Sequence, residues 1–126
     1  MISAAECAAE LNRMRRGRRL SPTFYSGAVL QLRADLMHAP DITKVAASNV
    51  AVEAAFTLLD AHPLGAIGGI VLRLALDLAT VRRAAADDLV LVSTNRTLLR
   101  AARREGLQTF NPAAPTDTEL ATLIEP

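Results

Sequence analysis

Four consecutive branched apolar residues, Leu89-Val90-Leu91-Val92, constrain this chain more than any other stretch. The run is too short for a helix, and a strand apolar at every position needs cover on both faces, as a buried parallel strand has. Ser93, Thr94 and Asn95 follow as successive N-cap candidates; Arg96 to Glu105 then carries helical spacing, Gly106 ends it, and Leu107 to Phe110 reads as the next strand. Strand, capped helix, glycine, strand is the right-handed crossover unit of a parallel sheet. The expected fold class is therefore α/β, a short parallel sheet of about three strands with helices in excess.

The third strand is expected at Ile42-Thr43-Lys44-Val45, where apolar and polar residues alternate. Around these strands the chain reads as helical. It is 126 residues long, the size of a single domain, and its aromatic share of 3% with no Trp leaves Leu, Ala and Val to fill a core. Ser3 to Arg16 places Ala4, Ala5, Ala8 and Leu11 on one stripe, with Gly17 as the stop. Ser21-Pro22 starts a second helix, on which Phe24, Ala28, Leu32 and Leu36 recur until Pro40. Ser48 or Asn49 caps a third, ended by His62-Pro63. Residues Gly65 to Gly69 read as a glycine-rich hinge before a fourth, strongly apolar helix from Ile70 to Arg83, expected to be buried on more than one side. Thr116-x-x-Glu119 has the capping-box pattern of a short last helix.

Fourteen basic residues against thirteen acidic give a formal net charge of +1, which excludes a globally polycationic binder. Local clusters remain, above all Arg13, Arg15, Arg16, Arg18 and Arg19, and a second group of Arg96, Arg100, Arg103 and Arg104. The lone Cys7 has no partner within the chain and no evident His beside it; it is read as a small buried thiol. The start MISAAECAAE lacks the basic and apolar regions of a signal peptide, and the longest apolar stretch, around Leu64 to Leu72, falls short of the ~20 residues of a membrane span. The expected compartment is the cytoplasm, with no membrane partner.

The stretch LVLVSTNRTLLRAARREGLQTFNP, residues 89 to 112, resembles the closing segment of PIN-domain ribonucleases of the VapC toxin type. That segment runs strand, Ser or Thr, Asp, Arg, a helix of form L-x-x-A-A-x-x-x-G-L, and a last strand ending in Asn-Pro. HPLGAIGGIVLRLALDLA, from His62, is similar to the family's His-x-Leu-x-x-x-Asp-Ala helix start, and ISAAECAAELNRMRRGRRLSP resembles its Ser-x-x-x-Glu helix with an Arg-rich turn. The resemblance implies a single PIN-like domain over residues 1–126 that lacks the family's first strand. It also implies metal-dependent RNA cleavage, in which carboxylates converge on Mg²⁺ or Mn²⁺ to activate a water.

Matched residue by residue, this chain keeps one of those acids. Glu6 matches the helix Glu; Gly68, with a one-residue slip to Gly69, stands where the family's Asp opens a helix; and Asn95 stands where another Asp follows the strand. The acid of the first strand has no counterpart. Each missing carboxylate removes attraction on the order of several kcal/mol for a divalent ion, so no metal is expected, with Glu6 as the residual ligand and Mg²⁺ or Mn²⁺ as the ion if the chain is active. Asp77, Asp87 and Asp88 are poorly placed to compensate. The expected function is a degenerate, catalytically inactive PIN-like domain with residual RNA or partner binding, the RNA contacts falling to Arg96 and the Arg13–Arg19 cluster. Two alternatives stand beside it: an active metal-dependent endoribonuclease of the toxin type, and a non-catalytic module for dimerisation or antitoxin binding. A homodimer is expected, because a missing central strand leaves a sheet edge to cover.

Overall fold

A computed structural model of the chain describes residues 2–40 and 42–113. The chain divides into two compact units, Met1–Ala46 and Ala47–Pro126. The capping box at Thr116 and Glu119 lies outside the described residues.

The first unit is a helical hairpin. Helix α1 (Ile2–Arg16) packs against α2 (Pro22–Leu32), which runs on into a π-helical turn over Arg33–Met37. The Ser21 Oγ accepts the Phe24 N–H at 3.2 Å and Pro22 follows it, so the first turn of α2 forms with its leading backbone donors accounted for. Helix α1 ends at Arg16, as the sequence predicts. Arg18, not Gly17, takes the left-handed conformation (φ 60°), and the Arg19 N–H reaches back to the Met14 carbonyl at 2.9 Å. Leu11, Met14, Leu32 and Leu36 are half-buried, and none of residues 7–40 is fully buried. Cys7 is exposed, correcting the expectation of a buried thiol: a two-helix layer covers only one face of each helix, and the thiol keeps its solvent side.

The expected strand at Ile42–Val45 does not form. Residues 43–48 are irregular and exposed, and alternation alone makes no strand without a neighbour to complete its ladder. The sheet accordingly has two strands among the described residues, not three.

The second unit holds the core. Ser48 caps α3 (Asn49–Ala54), its Oγ accepting the Ala51 N–H at 3.2 Å. At the buried Ala55 the bonding tightens, and the expected single helix becomes α3 and α4 (Phe56–Ala61), ended by His62 and Pro63. Helix α5 (Ala66–Ala84) begins earlier than expected. The glycine-rich hinge is in fact helix: Gly65 is its N-cap, and Gly68 and Gly69 lie in its first turns. Gly69 is where α4 comes closest, since a Cβ there would lie 2.5 Å from Leu59 Cδ2. Gly69, Leu72, Ala75 and Ala79 form the buried stripe of α5, with Ile67 and Val81 exposed, so the helix is covered along one face.

Strand β1 (Val90–Val92), α6 (Arg96–Arg104) and β2 (Gln108–Phe110) form the crossover unit that the sequence predicts, but β1 is not covered on both faces: Val90 and Leu91 are half-buried and Val92 is exposed, because a two-stranded sheet has too few layers to enclose it. The strands are parallel, with Val90 opposite Gln108, Leu91 opposite Thr109 and Val92 opposite Phe110. Leu98, Ala101 and Ala102 of α6 and the adjacent Leu107 meet Leu58, Leu72, Ala75 and Ala79 in one cluster. Four of those eight are alanines, so the core is thin and its helices approach closely. Gly106 ends α6 at φ 87°, and its carbonyl accepts from Arg83 Nη2 at 2.8 Å. The architecture is α-rich with a short parallel two-stranded sheet, a coarse α/β class. Among the described residues no single helix is long and apolar enough to cross a membrane. The pair Asn49–Ala61 and Ala66–Ala84 passes that test only together, bent by 110°.

Candidate functional site

Helix α6 has the sharpest division of faces in the molecule. At about 100° of turn per residue, Arg96, Arg100, Arg103 and Arg104 fall within an arc of about 100°, opposite the buried Leu98, Leu99, Ala101 and Ala102. All four guanidinium groups are exposed, and among the described residues none takes part in an ion pair. They form a row of cations rising along one helix, with the i, i+4, i+8 set of Arg96, Arg100 and Arg104 advancing about 6 Å at each step.

Asn95 sets where that row begins. Its Oδ1 accepts the Thr97 N–H at 3.1 Å and the Leu98 N–H at 3.2 Å, and its own N–H donates to Ser93 Oγ at 3.1 Å. Both capping bonds converge on the atom that a carboxylate would offer to a cation. Gly68, the other position matched to a family acid, lies in the first turn of α5 and has no side-chain donor. A Cβ at Gly68 would meet Leu64 Cδ2 at 3.7 Å, an ordinary contact, whereas Gly69 has no such room. A neutral amide spent on a helix cap and a glycine do not fit a divalent cation. Glu6 falls on α1, in the first unit, while Asn95 and Gly68 belong to the second.

The arginines of the first unit are partly committed to local partners. Arg13 pairs with Glu10, Nε lying 2.8 Å from Oε2, and this hydrogen bond holds the Glu10 carboxyl below its ordinary range. Arg15 donates to Asn12 Oδ1 at 2.6 Å and stacks over the Tyr25 ring, 4.3 Å from its centroid. Arg16, Arg18 and Arg19 are exposed and form no ion pair among the described residues. Of the five expected RNA contacts in this cluster, three therefore keep uncommitted side chains. Asp77, Asp87 and Asp88 are likewise engaged, with Arg73, Arg82 and Arg83 respectively.

Next to the α6 row lies a feature that local sequence does not show. His62, at the end of α4, is 8% exposed, and its Nε2 lies 2.8 Å from Glu105 Oε1, across 43 residues of chain. The carboxylate accepts, so Nε2 carries the proton. His62, Pro63, Thr97, Arg100, Ala101 and Arg104 line a small cleft of about 70 Å³. The i, i+4 spacing of Arg96, Arg100 and Arg104 is visible in the sequence, but the arrival of His62 beside them depends on tertiary packing.

No family model, curated protein or solved structure matches this chain.

Proposed function

We propose that this chain is a degenerate PIN-like domain of the cytoplasm that binds RNA through its phosphates, without a resident metal and without cleaving the strand. The observation that carries this reading is the α6 row: four exposed guanidinium groups on one face, no described acid paired with any of them, next to a capping Asn95 where the family has an acid. Arginine grips phosphate through two parallel N–H donors, and contacts of that kind position a strand without reading its sequence. A content of one Tyr, three Phe and no Trp supports phosphate contact over base stacking.

Single-stranded RNA carrying a 3′ fluorophore tests this by anisotropy. Binding is expected to persist in EDTA, to weaken with salt at a log–log slope of roughly −0.7 per phosphate contact, and to fall about tenfold in Arg96→Gln. The RNA is expected to remain intact with Mn²⁺. Cleavage that requires Mg²⁺ or Mn²⁺ and disappears in Glu6→Gln would overturn the reading in favour of an active ribonuclease.

A second reading, a protein-interaction module that forms a homodimer or binds an antitoxin-like partner, draws on a different observation. Phe24 and Leu30 of the first unit are 63% and 68% exposed, and in the second unit Val50, Phe56 and Val81 are similarly open. Sedimentation equilibrium decides here: a strict monomer at high concentration counts against the homodimer.

A further inference from the structure

We infer that the cleft between His62 and the middle of α6 is a receptor for a single phosphate group. This rests on the RNA reading only for the source of the phosphate; the cleft itself stands on its own geometry.

Its lining combines an imidazole, a hydroxyl and two guanidinium groups, from His62, Thr97, Arg100 and Arg104, on an apolar floor of Pro63 and Ala101. The Thr97 hydroxyl and the two guanidinium groups can donate to an oxyanion, while the His62 Nε2–H is already given to Glu105. Glu105, the acid bonded to this cluster, is occupied with the His62 Nε2–H, a bond that fixes the ring and draws the carboxylate toward it. Among the described residues no acid pairs with Arg100 or Arg104. The cleft therefore sets two unpaired guanidinium groups against one carboxylate, that of Glu105, which is bonded to His62.

Size selects the ligand class. At about 70 Å³ the space is far below the roughly 300 Å³ at which pockets begin to enclose drug-sized molecules, so a nucleoside does not enter. A phosphate with no sugar on one side turns more of its oxygens into so small a cleft than an internal diester does, which favours a terminal monoester or free phosphate. A terminal phosphate also carries more negative charge than an internal diester, which suits two adjacent guanidinium groups. An RNA 5′ end seated here would have its following phosphates within reach of the same row, toward Arg96.

The test titrates the full chain with inorganic phosphate, followed by amide and His-ring NMR shifts. It then compares 5′-phosphorylated with 5′-hydroxyl RNA of one sequence by anisotropy. Saturable shifts centred on His62, Thr97, Arg100 and Arg104 are expected, weakened about tenfold or more in the Arg100→Gln/Arg104→Gln double variant. Both arginines are exposed, so the variant keeps its fold, which circular dichroism verifies. The 5′-phosphorylated RNA is expected to bind about tenfold tighter than its hydroxyl counterpart, and the gap to close in the double variant. Non-saturating shifts spread over every arginine, or shifts unchanged in the double variant, overturn the inference. If inorganic phosphate saturates the cleft while neither RNA binds, the receptor stands and the RNA reading falls. If both RNAs bind equally and inorganic phosphate does not saturate, the receptor falls and the RNA reading stands.

Discussion

The two units of this chain are made of similar residues and held by different forces. Residues 47–113 bury a cluster around Leu72, which is 0% exposed, with Leu58, Leu98 and Leu107 each under a tenth exposed. Residues 7–40 contain no buried side chain, and Phe24 and Leu30 face solvent. The hairpin's helices instead rest on local chemistry: the Ser21 cap, Pro22 at the first position, the Glu10–Arg13 pair and the Arg15–Tyr25 stack. The Ser21 cap and the Arg15–Tyr25 stack are worth about 0.5 to 1 kcal/mol each. Burial of one leucine is worth about 1.5–3 kcal/mol. Apolar content is thus no guide to cohesion; what matters is whether the apolar stripe meets a second layer.

The strongest way to break that comparison is to truncate one leucine in each unit. Leu72→Ala is expected to cost about 2–5 kcal/mol, because the space it fills is enclosed on all sides. Leu32→Ala, at a half-buried site, is expected to cost no more than about 1 kcal/mol. Urea unfolding of the two variants checks this, and equal losses would mean that the hairpin is not the shallower unit.

A smaller effect comes from one glycine in each unit. Gly69→Ala places a methyl 2.5 Å from Leu59 Cδ2 and 3.0 Å from its Cγ, so the branch point of that side chain must move. The expected cost is about 1–3 kcal/mol, reduced by the helix preference of alanine. At Gly27, in the middle of α2, an added Cβ meets nothing within 4 Å, and Gly27→Ala is expected to stabilise by up to about 1 kcal/mol. Opposite signs in the two melting-temperature shifts would sharpen the contrast between a packed and an open helix face.

The parts of the fold legible in the sequence are those whose causes are local. The apolar run Leu89–Val92, the Asn95 cap and Gly106 define a crossover unit within some twenty residues, and the structure places it there. Ser21 and Ser48 mark their helix starts for the same reason. Two of the errors turn on remote partners. Ile42–Val45 has the alternation of a strand and lacks a neighbouring strand. Gly65–Gly69 looks like a flexible hinge until the approach of Leu59 gives Gly69 its role. In the candidate site, the arginine spacing on α6 and the capping role of Asn95 are visible in the sequence. The His62–Glu105 bond is not, because it joins residues 43 apart.

The smallest expected effect separates the units by how each holds a carboxylate. Glu10, in the hairpin, is kept below its ordinary range mainly by the hydrogen bond from the Arg13 side chain. Asp88, at the start of the crossover unit, is kept low mainly by the backbone N–H of Leu89, at 2.8 Å, with Arg83 adding a smaller contribution. In both cases the folded carboxyl is the stronger acid. The stability it lends is therefore present at neutral pH, above the unfolded value, and is lost as acid takes the pH down through the carboxylate range. Salt distinguishes the two causes. An exposed ion pair is screened, while a hydrogen bond from a backbone N–H is screened less. NMR titration of the side-chain carboxyl carbons at low and high salt is expected to return Glu10 toward its ordinary value and to leave Asp88 depressed. If salt moved both alike, Asp88 would owe its depression to Arg83 rather than to the Leu89 N–H, and the second unit would share the hairpin's dependence on surface charge at this edge.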